Sequence, residues 1–248
     1  MWRSLIVVAA LALSACGDRL PDYCYKITVT VDTPQGEKSY SAVRQVEMIE
    51  RSTIQDTTGV RIDRKVTGEA VILDLPSGPA FALMAMLSDG QSLGEDHARK
   101  VAEVALLPHI SPTTHEAWKK SSFKGSDPIG TDVDAFREMA EVEGPRDLPR
   151  SRPAPGSYTG KVQQLWPIFV RFQDVRDPQS IYRVQPEEIG VKRISIEITD
   201  EEVTSRIEQT LPWLPALLES GGVIDGNRFR PGNDVKSTTG AGSFLQRD

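Results

Sequence analysis

Apolar and polar positions alternate most clearly near the start of the chain, where Tyr25, Ile27, Val29 and Val31 are interleaved with Lys26, Thr28, Thr30 and Asp32. A period of two is that of a strand with one buried face. Pro34-Gln35-Gly36 then supplies turn chemistry before a second run from about Ser39, so the pattern predicts a β-hairpin. KVTGEAVILDL and AFALMAMLS flank Pro76-Ser77-Gly78-Pro79 and predict further strands, the second apolar on both sides as a covered central strand must be. KVQQLWPIFVRFQD reads as a strand broken or edged at Pro167, and Ile194, Ile196 and Ile198 alternate with Ser195 and Glu197 as another one-faced strand.

Helical spacing is rarer. From Glu95 to Leu107, Ala98, Val101, Val104 and Ala105 fall on one side with charges opposite, which predicts an amphipathic helix. TDVDAFREMAEVEG predicts a second, with Thr131 as N-cap and Gly144 as stop, and Thr199 with Glu202 forms the capping-box pattern ahead of DEEVTSRIEQTL, predicting a third. The stretch between the first two, residues 108–131, reads as irregular. Residues 145–156 carry four prolines and read as a surface excursion, and the glycine-rich end of the chain shows little period, with 239–248 expected as a flexible tail. The elements together predict an α+β fold: an antiparallel β-sheet core with a few peripheral α-helices, in one domain over 23–238.

The first residues have a different character. MWRSLIVVAALA has one positive residue, Arg3, and an apolar run from Leu5 to Leu13 that is too short for a bilayer core of ~30 Å but fits the apolar region of a signal peptide. Leu13-Ser14-Ala15-Cys16 resembles the lipobox of bacterial lipoproteins at all four positions. The resemblance implies removal of residues 1–15, a diacylglyceryl group on the Cys16 thiol and an acyl chain such as palmitate on the new amino terminus. Several chains hold a protein on a membrane where one does not. Residues 16–22 would then be a lipidated tether of at most ~3.5 Å per residue, keeping the body within roughly 25 Å of the bilayer on the periplasmic side. Gly17 after the cysteine favours the outer membrane over the inner in the enterobacterial pattern.

Composition adds limits. The chain has 248 residues, 39% of them hydrophobic and 26% charged, with a net charge of −6 and no large basic run, so the footprint of a nucleic-acid-binding protein is missing. Only two cysteines are present. With Cys16 lipidated, Cys24 has no intrachain partner and the core must hold the fold without a disulfide.

Candidate chemistry is sparse. His109, His115 and Glu116 could be drawn as a metal site, but a spacing of six across a loop matches neither helical zinc ligands nor a compact cysteine and histidine set, so no metal is expected. Ser121 and Lys124 in SSFK fit the serine, two residues, lysine pattern of penicillin-recognising enzymes, and KSTTG faintly resembles their third motif with Ser237 and Thr238 inserted. Their setting in a loop pattern argues against the pair. No nucleophile elbow, phosphate loop or dinucleotide fingerprint occurs, so no cofactor is implied. Trp166, Phe169, Phe172 and Trp213 read as core aromatics, and Asp225 and Arg228 as turn residues.

YKITVTVDTPQGEKSYSAV, FALMAML, PQSIYRV, ISIEITDEEVTSRIEQTLPWL and IDGNRF together are similar to a group of hypothetical proteins and predicted lipoproteins of Proteobacteria. The resemblance implies an envelope context and one continuous domain, and it transfers no catalytic residue. The expectation is a non-enzymatic binding or structural module held at the membrane by lipid at Cys16, with another envelope component as partner. An envelope serine hydrolase using Ser121 and Lys124 is the alternative.

Overall fold

The computed structural model describes residues 20–52, 60–88, 91–93, 96–123, 129–153, 162–226 and 234–247. The strands are β1 (Asp22–Thr33), β2 (Gly36–Ser52), β3 (Val60–Glu69), β4 (Val71–Leu75), β5 (Gly78–Ala82), β6 (Met86–Ser88) and β7 (Gln91–Leu93) in the first part of the chain. Helices α1 (Asp96–Leu106), α2 (Pro112–Phe123) and α3 (Ile129–Ala140) follow. Then come β8 (Arg146–Asp147), β9 (Ser151–Pro153), β10 (Val162–Gln164), β11 (Phe169–Phe172), β12 (Ile181–Val184) and β13 (Val191–Ile198). The chain closes with α4 (Ile207–Thr210), α5 (Leu214–Ser220), α6 (Val235–Thr238) and β14 (Leu245–Gln246).

A six-stranded sheet in the order β14-β3-β2-β1-β13-β8 lies beside a four-stranded sheet in the order β12-β11-β5-β4. Every ladder among the described residues is antiparallel, which gives the α+β fold with a sheet core that the alternation predicted. In β1 the residues Tyr23, Tyr25, Ile27, Val29 and Val31 are buried, and Ile27 faces Ile196 of β13, so the two one-faced strands share a core. The hairpin closes at Thr33 opposite Gly36, three residues before the expected start of its second strand. The strand predicted over AFALMAMLS is divided: β5, inside its sheet, ends at Ala82, and Met86 to Ser88 form β6 in a separate two-stranded sheet with β7. Ala80 and Ala82 join the core between the sheets while Phe81 points to a second core under the C-terminal helices.

α1 packs by Ala98, Val101, Ala102 and Ala105, close to the predicted face, and Tyr25 donates from its hydroxyl to the Ala98 carbonyl at 2.6 Å. α3 starts two residues before Thr131. Phe169 and Phe172 are buried, while Trp166 and Trp213 pack partly buried against the two cores, as expected of core aromatics.

Three segments depart from expectation. Residues 112–123 form α2 rather than irregular chain: Ser111 Oγ accepts the Thr114 amide ahead of Pro112, a start signal, but most of the helix is solvated and so shows no apolar period. The helix predicted from Thr199 and Glu202 shrinks to α4. Thr199 Oγ1 accepts the Glu201 amide in a local turn, and Thr204 is drawn to the edge of β2, where its N–H donates to the Val43 carbonyl at 3.1 Å. The true cap is distant: the buried Glu69 carboxylate accepts the amides of Arg206 at 2.7 Å and Ile207 at 2.8 Å. The end of the chain is no flexible tail over 239–247. Phe244 and Leu245 are buried, Phe244 N–H and C=O bond within the fold, and β14 pairs with β3.

Of the proline-rich excursion, β8 joins the main sheet beside β13 and β9 pairs with β10. Residues 154–156 lie outside the described residues, as do the signal segment, Cys16 and the first part of the tether.

Candidate functional site

β14 pairs with β3 only at Gly68 and Glu69. Where it stops, the edge of β3 at Arg64, Lys65 and Val66 borders a groove of about 600 Å³. The far side is built from α5 and two glycine turns, one at Gly221 and Gly222, the other at Gly240 and Gly242. The turns are tied together by a bridge between Val223 and Gly240 and by the Ile224 amide donating to the Thr239 carbonyl at 3.0 Å. A Cβ on Gly240 would lie 3.4 Å from the Gly222 carbonyl oxygen, an ordinary contact, and one on Gly242 would meet nothing.

Four cationic side chains line this groove: Arg64 and Lys65 from β3, Arg99 from α1 and Arg247 after β14. Among the described residues no carboxylate is in the lining. The acids that meet these cations stand outside it and fix them: Arg64 pairs with Asp132 of α3 and, at 3.2 Å, with Glu103 of α1, Glu103 lies 3.6 Å from Arg99, and Glu208 of α4 pairs with Arg247. Glu103 and Arg64 are shielded from water, with 14% and 15% of their side chains exposed, which strengthens the pairing and holds the guanidinium in place. Tyr23 completes this corner. Burial, then the nearby charge of Glu103, push its hydroxyl well above the ordinary tyrosine value, against the pull of Arg64 and Arg99.

Guanidinium groups held by carboxylates beside a glycine wall can take an anion: N–H donors lie on one side, and the backbone can approach closely on the other. Sequence reading missed this set because its members lie on four separate stretches of chain. The only signals were the glycine pairs in SGG and TGAG, which read as polar tail.

A second groove, about 470 Å³, lies between β10, β11 and β12, with Arg150 5.5 Å from the Trp166 ring. Arg150 is paired there with Glu187, and the Trp166 indole N–H is engaged by the Leu148 carbonyl at 3.0 Å. These interactions suit a structural role.

The residues singled out from sequence do not gather. Ser121 lies in the last turn of α2, not in a loop and not at a helix start, and Lys124 is outside the described residues. Ser237 is spent on a turn bond, its hydroxyl donating to the Asp234 carbonyl at 2.9 Å. His109 ends a 3-10 turn. His115 and Glu116 sit on α2, where the His115 ring lies 6.3 Å from Trp118 and Glu116 pairs with Lys119 at 3.2 Å. Burial and then Lys119 lower the His115 pKa; the Lys119 bond lowers that of Glu116. Among the described residues no three His, Cys, Asp or Glu side chains are grouped to hold a metal. Cys24 is half-buried, and burial followed by Asp22, Asp200 and Glu47 raises its thiol pKa, opposite to what a reactive thiolate needs. Asp225 forms a turn as read, its N–H donating to the Lys236 carbonyl at 3.2 Å, and Arg228 is outside the described residues.

No family model matches the chain, and neither a curated protein nor a solved structure does.

Proposed function

We propose that this chain is a lipid-anchored protein of the bacterial cell envelope that acts as a non-enzymatic binding module, its ligand an anionic group taken by the groove beside β3. The anchor is the lipid on Cys16, supported by Leu13-Ser14-Ala15-Cys16 and the short apolar run before it. The body faces the periplasm, at the outer membrane in preference to the inner. Among the described residues no helix is long and apolar enough to cross a membrane.

One observation carries the binding role: cations from distant segments line one glycine-walled groove, in whose lining no carboxylate stands among the described residues. Phosphate and carboxylate groups are the chemistry such donors recognise. The test is calorimetric titration of the whole lipidated protein in detergent with inorganic pyrophosphate. Saturable binding that weakens as salt rises is expected. Gly242→Glu, which places a carboxylate in open groove space, should abolish it without moving the urea midpoint. Absence of saturable heat, or binding untouched by Gly242→Glu, would refute the site. Mass spectrometry of the native protein tests the anchor separately: a first fragment starting at Cys16 with added acyl mass is expected, and a free Cys16 thiol in mature protein would exclude it.

A further inference from the structure

The register of the main sheet relates this groove to the point where the tether enters. Asp22, the first residue of β1, is opposite Glu47 of β2, and Glu47 is opposite Lys65 of β3. Lys65 is therefore in the same cross-strand row as the first residue of the folded body, two strands away, or about 10 Å at the usual strand spacing. The chain is held there: the Met48 amide donates to the Pro21 carbonyl at 3.3 Å, and Leu20 packs against the core. β3 runs in the same direction as β1, so Val60 to Arg64, and the β2 residues paired with them, project beyond the start of β1 toward the side from which the tether comes. Arg64 and Lys65 are at the base of that projection, and Arg99 and Arg247 border the same groove.

We propose that the anionic group bound by the groove is the phosphate of a membrane lipid headgroup, so that the chain docks face-on to the bilayer that holds its anchor. This rests on the reading of the groove as an anion site and of Cys16 as the lipidated residue. From Cys16 to Asp22 the chain spans six residues, at most ~3.5 Å each, so the tether end of the body stays within ~21 Å of the surface. A second, low-affinity contact at that distance acts intramolecularly: the anchor keeps headgroups at high effective concentration, and a site too weak to recruit the protein from solution still sets its orientation. The charge fits as well. The chain carries −6 overall, so an anionic surface repels the body generally and attracts it where cations are gathered. The groove joins the requirements, since guanidinium and ammonium donors line it and it lies at the tether end of the sheet.

The experiment is hydrogen exchange measured by mass spectrometry on the whole lipidated protein, bound through its anchor in every arm. One arm uses phosphatidylcholine vesicles, a second the same vesicles with soluble glycerol phosphate, and a third vesicles containing phosphatidylglycerol. Slowing of exchange by several-fold at residues 62–66 and 240–247 is expected in the third arm relative to the first, and Gly242→Glu should remove it. Protection in the second arm without protection in the third would overturn the membrane source and leave the anion site standing. No protection in either arm would overturn both readings. Protection in the third arm that survives Gly242→Glu would place the contact outside the groove and overturn the proposal.

Discussion

Gly190 turns the chain from a short 3-10 segment into β13, and its backbone has φ 73°, a left-handed conformation. It is also pressed against β1: its carbonyl accepts the Asp32 amide at 2.8 Å, beside the register shift at Thr30 and Val31. A Cβ built on Gly190 would lie 2.5 Å from the Asp32 carbonyl oxygen, which is backbone inside a sheet and cannot swing away. Gly144 is a near-ideal control, with φ 74° and nothing within 4 Å of its Cβ position. Alanine at either site pays the left-handed penalty of about 1–2 kcal/mol, offset in part by the stiffer unfolded chain. Only Gly190→Ala adds the collision, which by analogy with overpacking costs a further ~1–3 kcal/mol and threatens a hydrogen bond worth about 1 kcal/mol. Urea unfolding followed by circular dichroism should therefore place Gly190→Ala about 2–4 kcal/mol below Gly144→Ala at unchanged m-value. Equal losses for the two variants would refute the claim that close approach to β1, rather than backbone conformation, requires glycine at 190.

The buried Glu69 carboxylate caps α4 with two backbone bonds, so Glu69→Ala should cost about 2–4 kcal/mol, while Glu69→Gln, which keeps an acceptor, should cost distinctly less in the same urea assay. Equal costs would deny the cap. Glu138 joins α3 to the start of α2: its carboxylate accepts the Thr114 hydroxyl and both the amide and hydroxyl of Ser111, and these bonds hold its pKa below the ordinary 4.5. A depressed folded-state pKa means that the contribution is complete above about 4.5 and fades as pH falls through the lower folded-state value. The stability gap between wild type and Glu138→Gln should accordingly be constant near neutrality and close in acid, and a gap that widens on acidification would reverse the assignment.

What the sequence made legible was whatever one element could encode by itself. β1 and β13 each bury one face, so a period of two is written into Tyr25 to Val31 and Ile194 to Ile198, and α1 likewise carries its own stripe. Where an element owes its conformation to a distant partner, the local pattern misled. Thr199 and Glu202 make a plausible cap, yet Thr204 is bound to a strand edge 161 residues away and the real capping carboxylate is 137 residues from Arg206. α2 is solvated on most of its surface and has no stripe to read. In the C-terminal stretch, Leu211, Leu214, Ile224, Val235 and Phe244 are buried with irregular spacing, because they fill a core whose other wall is the face of β5 and β11.

The groove was illegible for a related reason, and the fold explains why it exists. Phe244 and Leu245 must enter the second core, where the rings of Phe81, Phe172 and Trp213 surround Phe244 at 5.6 to 6.3 Å. That requirement brings the end of the chain to the edge of β3 at Glu69, and it fixes where β14 can pair. β14 ends at Gln246, and β3 continues past it with Arg64 and Lys65, neither of which a strand covering that edge would leave bordering open space. The turn at Gly240 lies beside the turn at Gly222, and just after it Ala241 and Phe244 enter the core. Packing thus explains where β14 meets β3, but it does not explain why cations from distant stretches converge beside it with no acid in the lining among the described residues. Charge placement is the part of the site that the fold leaves free, and it is the part that binding of an anion would select.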